Sequence, residues 1–305
     1  MLLFNSEMCG GYTPCLMLID SMVNIWMLKF RQYFQFYNEL QTLGNSMNKQ
    51  AVRAQYNQFE RIDINLTGYQ KFDTGKVVRL VSEQSGGSLI AYFDLDERSA
   101  DAAIEEEMEY FRKLNRSFEW KVYDYDSPSD ITKRLVEKGF VADDPESFMV
   151  LDLTTIEAHL PVPEQVIEVT DEKGIRDAIW VQEQVWKEDL SEHFDYLNNF
   201  KQTQPDQISI YVVYSGEQPV SSGWITYNGD SPFAGIWGGS TLETHRGKGC
   251  YTALLHQRIN EARSKGIRYL TIDASDMSRP IAQKHGFELV AITTPYTYTP
   301  NNENE

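Results

Sequence analysis

Hydrophobic and polar positions change rhythm repeatedly along residues 47–299, and each change marks a structural element. QVIEVT (165–170) reads as a strand, and the apolar spacing over 171–186 predicts a helix ending near Trp186. ISIYVVY (208–214), PVSSGWITY (219–227) and PFAGIWGGST (232–241) read as three antiparallel strands joined by turns at GEQ and NGD. Tyr251, Leu254, Leu255, Ile259 and Ala262 recur at helical spacing, which predicts a helix over about 248–265 with Gly266 as its stop. IRYLTID (267–273) is the next strand. A short helix follows, with Ser278 as N-cap and Gly286 beyond its end, and FELVAIT closes the plan as a last strand. TPYTYTPNNENE is expected to be a polar, frayed tail.

The first half repeats the latter part of that order. GGSLIAYFDLD (86–96) is strand-like, 99–114 is helical, SFEWKVYDYD (117–126) is a strand, and DITKRLVEKGF (130–140) is a helix ending in Gly-Phe. With Arg98 aligned on Arg246, the separations to Phe140 and Phe287 are 42 and 41 residues. Fixed spacing between matching landmarks is the signature of a duplicated unit. Two prolines in HLPVPEQ (159–165) put the boundary there. The chain is accordingly divided into an extension outside the core fold at 1–46, a degenerate first module at 47–158, a second module at 159–299 and a polar tail at 300–305.

Composition narrows the class. With 305 residues, 41% hydrophobic and 12% aromatic, the chain can bury a large core. Its 45 acidic against 28 basic residues, a net charge of −17, argue against nucleic acid or an anionic membrane as partner and fit a cationic small molecule or simple solubility. Cys9, Cys15 and Cys250 form neither a disulfide framework nor a zinc-ligand spacing, so no metal is expected and a reducing cytoplasm is the natural compartment. The segment 1–46 holds five charged residues and five of the nine methionines. Its longest uncharged stretch, twelve residues from Met8 to Ile19, is too short to cross a bilayer, and a signal-peptide pattern is lacking. It reads either as upstream sequence from an early start codon or as a short amphipathic helix around 21–42.

Candidate chemistry centres on THRGKGCYTALL (244–255) at the mouth of the predicted helix. The first N–H groups of a helix lack partners within it, and the helix dipole places partial positive charge there. Gly247 and Gly249 let the chain curl closely around an anion, with Arg246 and Lys248 alongside. Residues 243–268 carry six Lys/Arg against two Glu inside an acidic chain. A diphosphate fits such a nest; an ordinary helix start with a glycine-bearing turn is the competing reading. The spacing is neither a Walker A pattern nor the dinucleotide fingerprint.

The run of strand, Arg-x-x-Gly-x, amphipathic helix, strand and RPIAQKHGF resembles the GNAT superfamily of acyl-CoA N-acyltransferases. Their pyrophosphate loop is Gln/Arg-x-x-Gly-x-Gly/Ala, and Arg246, Gly249, Gly286 and Phe287 occupy the matching places over about 161–299. The N-terminal half looks like a degenerate copy, similar to tandem GNAT proteins. The resemblance implies an α+β fold of two tandem modules, each a mixed, mostly antiparallel sheet flanked by helices. It also implies acetyl-CoA as co-substrate, its pantetheine arm along Gly239, Ser240 and Thr241. Its pyrophosphate would lie on the N–H groups of Gly247, Lys248, Gly249, Cys250, Tyr251 and Thr252, beside Arg246. Tyr251 departs from the family's Gly or Ala and is expected in the core. Cys250 is expected as a small hydrophobe rather than a nucleophile. The first half has RSADAA (98–103) at the equivalent loop, with Asp101 in place of the key glycine and Glu105, Glu106 and Glu107 after it. Like charges repel a diphosphate. The first half is therefore expected not to bind CoA but to serve as packing partner and one wall of the acceptor cleft.

The activity implied is N-acetyl transfer to an amine by direct attack in a ternary complex. An N–H at about Gly239 would stabilise the oxyanion. The family's general-acid tyrosine falls at Ala282, leaving Tyr296, Tyr298 or solvent as substitutes, and no Glu or Asp lies within 232–241, so no catalytic residue is assigned. The acceptor side is expected in VWKEDLSEHFDY (185–196), with Trp186 as an apolar wall and Glu188 and Asp189 attracting an ammonium group, against the reading of a solvated acidic helix surface. His193, His256 and His285 read as surface or capping residues. A small molecule and a peptide both remain open as the amine acceptor, as does the oligomeric state. The alternative is a non-catalytic acyl-CoA-binding or interaction protein, favoured by the missing tyrosine and the degenerate first copy.

Overall fold

The structure, a computed structural model, describes residues 47–83 and 87–300; the expected extension at 1–46, with Cys9 and Cys15, and the end of the tail lie outside the described residues. The first half runs α1 (Lys49–Tyr56) with a π-helical turn (Asn57–Ile62), β1 (Tyr69–Asp73), β2 (Val77–Ser82), β3 (Ser88–Phe93), α2 (Ala100–Leu114), β4 (Phe118–Tyr123), α3 (Ile131–Glu137), β5 (Val141–Ala142) and β6 (Glu146–Asp152). The second half runs β7 (Val166–Val169), α4 (Glu172–Trp186), α5 (Ser191–Thr203), β8 (Ile208–Ser215), β9 (Gln218–Tyr227) and β10 (Phe233–Thr241). It continues through α6 (Cys250–Ser264), β11 (Tyr269–Ala274), α7 (Arg279–Lys284) and β12 (Glu288–Tyr298).

These strands form one twelve-stranded sheet in the order β1-β2-β3-β4-β12-β6-β11-β10-β9-β8-β7, with β5 beside β12. Neighbours are antiparallel except at two places. β3 runs parallel to β4 over Ser88–Ile90, and β10 parallel to β11 over Phe233–Gly235. Each parallel contact is three residue pairs long and is bridged by one helix, α2 or α6. The expected α+β fold in two copies is therefore visible in the pairing itself.

The copies are stitched together by strand exchange. β6, from the first half, lies between β11 and β12; β12, from the second, lies between β4 and β6. The segment expected as a frayed tail carries this pairing: Tyr296 lies opposite Trp120 and Tyr298 opposite Phe118. Alternating Thr and Tyr suits a strand with one buried face, and both tyrosines sink into the first-half core with Trp120, Phe118 and Phe140.

Helix α1 straddles the middle of this sheet. Its Tyr56 ring sits 4.4 Å from Phe148 and 5.4 Å from Phe233. Arg61 in the π-helical turn is 2% exposed, grips Asp126 through both terminal nitrogens at 2.8 Å, and donates through Nε to Ala91 O. In the second half, Leu254, Leu255 and Ile259 of α6 pack on Ile225, Ile236 and Leu270. On the opposite face, Ile175 and Ile179 of α4 and Phe194 and Leu197 of α5 pack on Ile208, Ile210 and Trp224. Each fully buried side chain of this kind contributes about 1.5–3 kcal/mol. Among the described residues no helix is long and apolar enough to cross a membrane.

Candidate active site

The site begins where two strands part. Pairing of β10 with β11 ends at Gly235 and Thr271, yet β10 runs on to Thr241, so a cleft opens between them. On its other side β10 breaks register with β9 between Trp237 and Ser240. Gly238 in this bulge has φ +59°, and a Cβ there would lie 2.0 Å from the Trp224 ring, so only glycine fits. Gln182 of α4 holds the bulge: its amide donates to Gly238 O and to Ser222 Oγ, while its Oε1 accepts from Ser240 Oγ at 2.8 Å and Trp186 Nε1 at 3.3 Å. Gly239 has no register partner on β9, and the β11 pairing stops before it, which leaves its main chain facing the cleft. Trp186 and Trp237, 55% and 40% exposed, flank the bulge.

From Thr241 a single 3-10 turn (Glu243–His245) leads to the glycine loop, where Arg246 Nε donates to Thr241 O at 3.3 Å. Gly247 and Gly249 have φ of +72° and +85°. A non-glycine residue in that region costs about 1–2 kcal/mol. A Cβ on either would meet nothing within 4 Å, so the glycines serve the backbone turn, and the space before the helix is open. Ala253 N donates the first helical bond, to Gly249 O at 2.9 Å, and no side chain caps the end. The amides of Cys250, Tyr251 and Thr252 therefore precede the helical ladder. With Arg246 and Lys248 exposed beside them, these residues fit a diphosphate. Cys250 and Tyr251 pack their side chains against the core beneath α6, as expected.

The first half treats the equivalent turn differently. Asp96 Oδ1 accepts from Arg98 N at 3.0 Å, Ser99 N at 2.8 Å and Ser99 Oγ at 2.7 Å. Those bonds hold the Asp96 carboxyl below its ordinary range. A carboxylate of the chain itself thus occupies the turn. Asp101 is tied to Arg134 at 2.8 Å, and Glu105 pairs with Lys138.

Other expected residues fall as follows. Asp189 accepts from Ser191 N at 3.0 Å and Oγ at 2.6 Å just before α5, and these bonds hold its carboxyl below the ordinary range. Glu188 is exposed nearby. His193 leans on Trp224, burial pulling its imidazole down, and His256 faces His285 at 5.6 Å. Ala282 is 1% exposed in the core. Tyr296 and Tyr298 belong to the first-half core and not to the cleft, so neither replaces the tyrosine missing at Ala282.

Sequence reasoning missed Gln182 and Arg258. Arg258 is 1% exposed and donates from Nε to Leu254 O at 3.1 Å and from Nη1 to Trp224 O and Trp237 O at 3.4 Å. Among the described residues its Nη2 has no partner. The signal was a charged residue on the apolar stripe of α6, four positions after Leu254. Among the described residues no group of three His, Cys, Asp or Glu is placed to hold a metal ion.

Residues 173–287 match the model of the acetyltransferase (GNAT) family. No curated protein gives a significant sequence match. Among solved structures, a GCN5-related N-acetyltransferase from Kribbella flavida superposes with a TM-score of 0.62 at 16% identity, covering 82% of this chain and 96% of that one. A functionally unknown conserved protein from Staphylococcus epidermidis gives 0.57 at 11% identity, covering 78% of this chain and 97% of that one. A tandem GNAT protein from the clavulanic acid biosynthesis pathway gives 0.54 at 14% identity, covering 77% and 85%. Residues 173–287 thus carry the match to the GNAT family, whose members use acetyl-CoA and act on amines, and the superpositions show a GNAT-like fold, one of them with a tandem GNAT protein.

Proposed function

We propose that this chain is an N-acetyltransferase that takes acetyl-CoA in its second half and passes the acetyl group to an amine in a ternary complex. The single observation that carries this reading is the set of unused amides at Cys250, Tyr251 and Thr252, opened by two left-handed glycines at the mouth of the β10–β11 cleft. Arg246, Gly247, Lys248 and Gly249 would complete the diphosphate seat, and Gly239, Ser240 and Thr241 would line the pantetheine arm. Residues 47–158 would be the degenerate module, its nest taken by Asp96, and 159–299 the active one, each borrowing a strand from the other.

The thioester supplies an activated acyl group. An ammonium loses one proton to become the nucleophile, its nitrogen bonds to the carbonyl carbon, and the carbon–sulfur bond breaks. The products are an amide, a thiol and one released proton. Gly239 N–H would stabilise the oxyanion. With alanine at 282, solvent protonates the departing thiolate. That same alanine favours a second reading, an acyl-CoA-binding protein without turnover.

Calorimetric titration with acetyl-CoA, followed by thiol release over an amine panel, separates the two. Binding with thiol release supports the transferase; binding with no release on any amine supports the second reading. Gly249→Asp, which copies the first half, is expected to abolish acetyl-CoA binding while circular dichroism stays native. Unchanged affinity in that variant would overturn the site.

A further inference from the structure

On the face of the sheet that α4 and α5 cover, the edge of the bulge carries an indole that is held still and yet left open. Trp237 of β10 folds back along its own strand. Its Nε1 donates to Thr226 Oγ1 of β9 at 2.9 Å, and its ring lies across Gly235. A Cβ at Gly235 would stand 2.6 Å from Trp237 Nε1 and 2.9 Å from Cε2 and Cζ2. The glycine is therefore the seat that lets the ring lie flat. The register agrees, with Gly235 opposite Thr226 and Trp237 opposite Trp224. Seat and hydrogen bond fix the side chain, but the residue stays 40% exposed. With one face of the ring on Gly235, the opposite face is the part left open.

A second set of contacts ties this shelf to the reacting end of the cleft. Gly235 is the last residue of β10 paired with β11. Gly239, whose main chain is free, follows Trp237 by two residues, at most about 7 Å of strand. Between them Gly238 O accepts from Gln182, whose Oε1 in turn accepts from Trp186 Nε1 at 3.3 Å. Trp224 lies beside the shelf, its ring over Gly238 and 5.4 Å from the His193 ring of α5. Asn228, two residues beyond Thr226, donates to Phe59 O at 2.9 Å and accepts from Asn65 N at 3.4 Å, which brings the first half up to the end of the same strand.

Both exposed indoles have committed their only donor, Trp186 to Gln182 and Trp237 to Thr226. What Trp237 has left to offer is a flat aromatic face. Thr226, Gly235, Trp224 and His193, the residues about it, carry no carboxylate, so the shelf offers area and not charge. A flat aromatic group is the natural occupant of such a face.

We infer that the acceptor is an arylalkylamine, its ring stacked on Trp237 and its amine carried by a short alkyl spacer to the acyl group at Gly239. This rests on the transferase reading for the place of the acyl group, while binding of the amine can be read without turnover. Trp237 is then the residue that sets acceptor specificity, and Gly235 positions it.

2-Phenylethylamine is the probe. Calorimetric titration of the full chain with it is expected to show binding, weakened about tenfold in Trp237→Leu and largely kept in Trp237→Phe. In thiol release its kcat/KM should exceed that of ethylamine about tenfold or more. It should exceed that of 2-cyclohexylethylamine about threefold, the share due to stacking rather than area. Gly235→Ala leaves the indole in the chain but lifts it from its seat, and should reduce the same preference while circular dichroism stays native. No binding of 2-phenylethylamine, or binding that Trp237→Leu leaves intact, overturns the inference whatever acetyl-CoA does. Equal use of the phenyl and cyclohexyl amines also overturns it while leaving the transferase reading standing. Binding that Trp237→Leu weakens, with no thiol release from acetyl-CoA on any amine, sinks the transferase reading alone.

Discussion

The ring of Tyr251 rests on Gly239: a Cβ built there would stand 2.7 Å from Tyr251 Cε2. The neighbouring Gly238 meets the Trp224 ring from the other face of the sheet. Two consecutive glycines are thus sandwiched between aromatic rings at the point where the main chain is free for a ligand. Gly239→Ala is expected to push Tyr251 out of place, an overpacking cost of about 1–3 kcal/mol. Acetyl-CoA affinity should fall with it. Gly239→Ala combined with Tyr251→Leu should recover most of the loss, since the smaller side chain clears the methyl group. Calorimetry on the two proteins checks this, and a double variant no better than the single would mean the ring is not the obstacle.

Gln182 is the peg beneath the same bulge. Gln182→Leu keeps the volume but strips partners from Gly238 O, Ser222 Oγ and Ser240 Oγ. Each buried polar group left unpaired costs about 1–3 kcal/mol, so denaturant unfolding should show clear destabilisation. Turnover should drop more than acetyl-CoA affinity, because the bulge shapes the reacting end of the cleft while the α6 nest lies on a separate element. A variant with lower stability and unaltered kcat would show that the amide is only a core filler.

Why the loop could be read in advance and the seam could not follows from the range of each signal. Gly247, Gly249 and the stripe Leu254, Leu255, Ile259 are local: turn chemistry and a 3.6-residue period fall within one short window. The run ESFMVLD became β6 through pairing with β11 and β12, both distant in sequence. Nothing nearby announces such an exchange, and TPYTY looks like a tail until β4 is brought beside it. Gln182, Arg258, Lys121 and Asp273 are polar residues at inward positions, which pattern reading discounts as noise. Of these, Gln182 and Arg258 reach the bulge, through Gly238 O and Trp237 O.

Glu60 makes stability depend on pH. It sits in the π-helical turn, bonded to Ser231 and Asn228, and burial pushes its carboxyl up from 4.5 to about 7. The folded state therefore favours the protonated form. Its contribution is fully present below the ordinary carboxylate value and is lost as pH rises through about 7. Glu107, also raised to about 7 by burial, acts in the same direction. The melting temperature is expected to fall between about pH 5 and about pH 8. Glu60→Gln should flatten that slope and raise the melting temperature at the alkaline end. A variant whose melting curve tracks wild type across the range would show that Glu60 is not the titrating group.

Arg258 poses the sharpest separation of stability from function. Its guanidinium is buried beneath α6 with no carboxylate partner among the described residues, spanning Trp224 O on β9 and Trp237 O where the bulge begins, and burial draws it below its ordinary value. Burying a charge without an opposite charge beside it is expensive, and an apolar side chain of similar volume removes that cost. A protein selected for stability alone would place methionine here. Arg258→Met is accordingly expected to leave the melting temperature unchanged or higher. The same change frees two carbonyls at the bulge and removes the positive charge behind the cleft, so kcat for acetyl transfer should fall by about tenfold or more, the scale of one lost electrostatic contact. Arg258→Lys keeps the charge but has one nitrogen where the guanidinium uses two, and it should fall between Met and wild type. If Arg258→Met unfolds the chain or lowers its melting temperature steeply, the residue is a structural strut. If it is stable and fully active, the buried charge plays no part in the reaction.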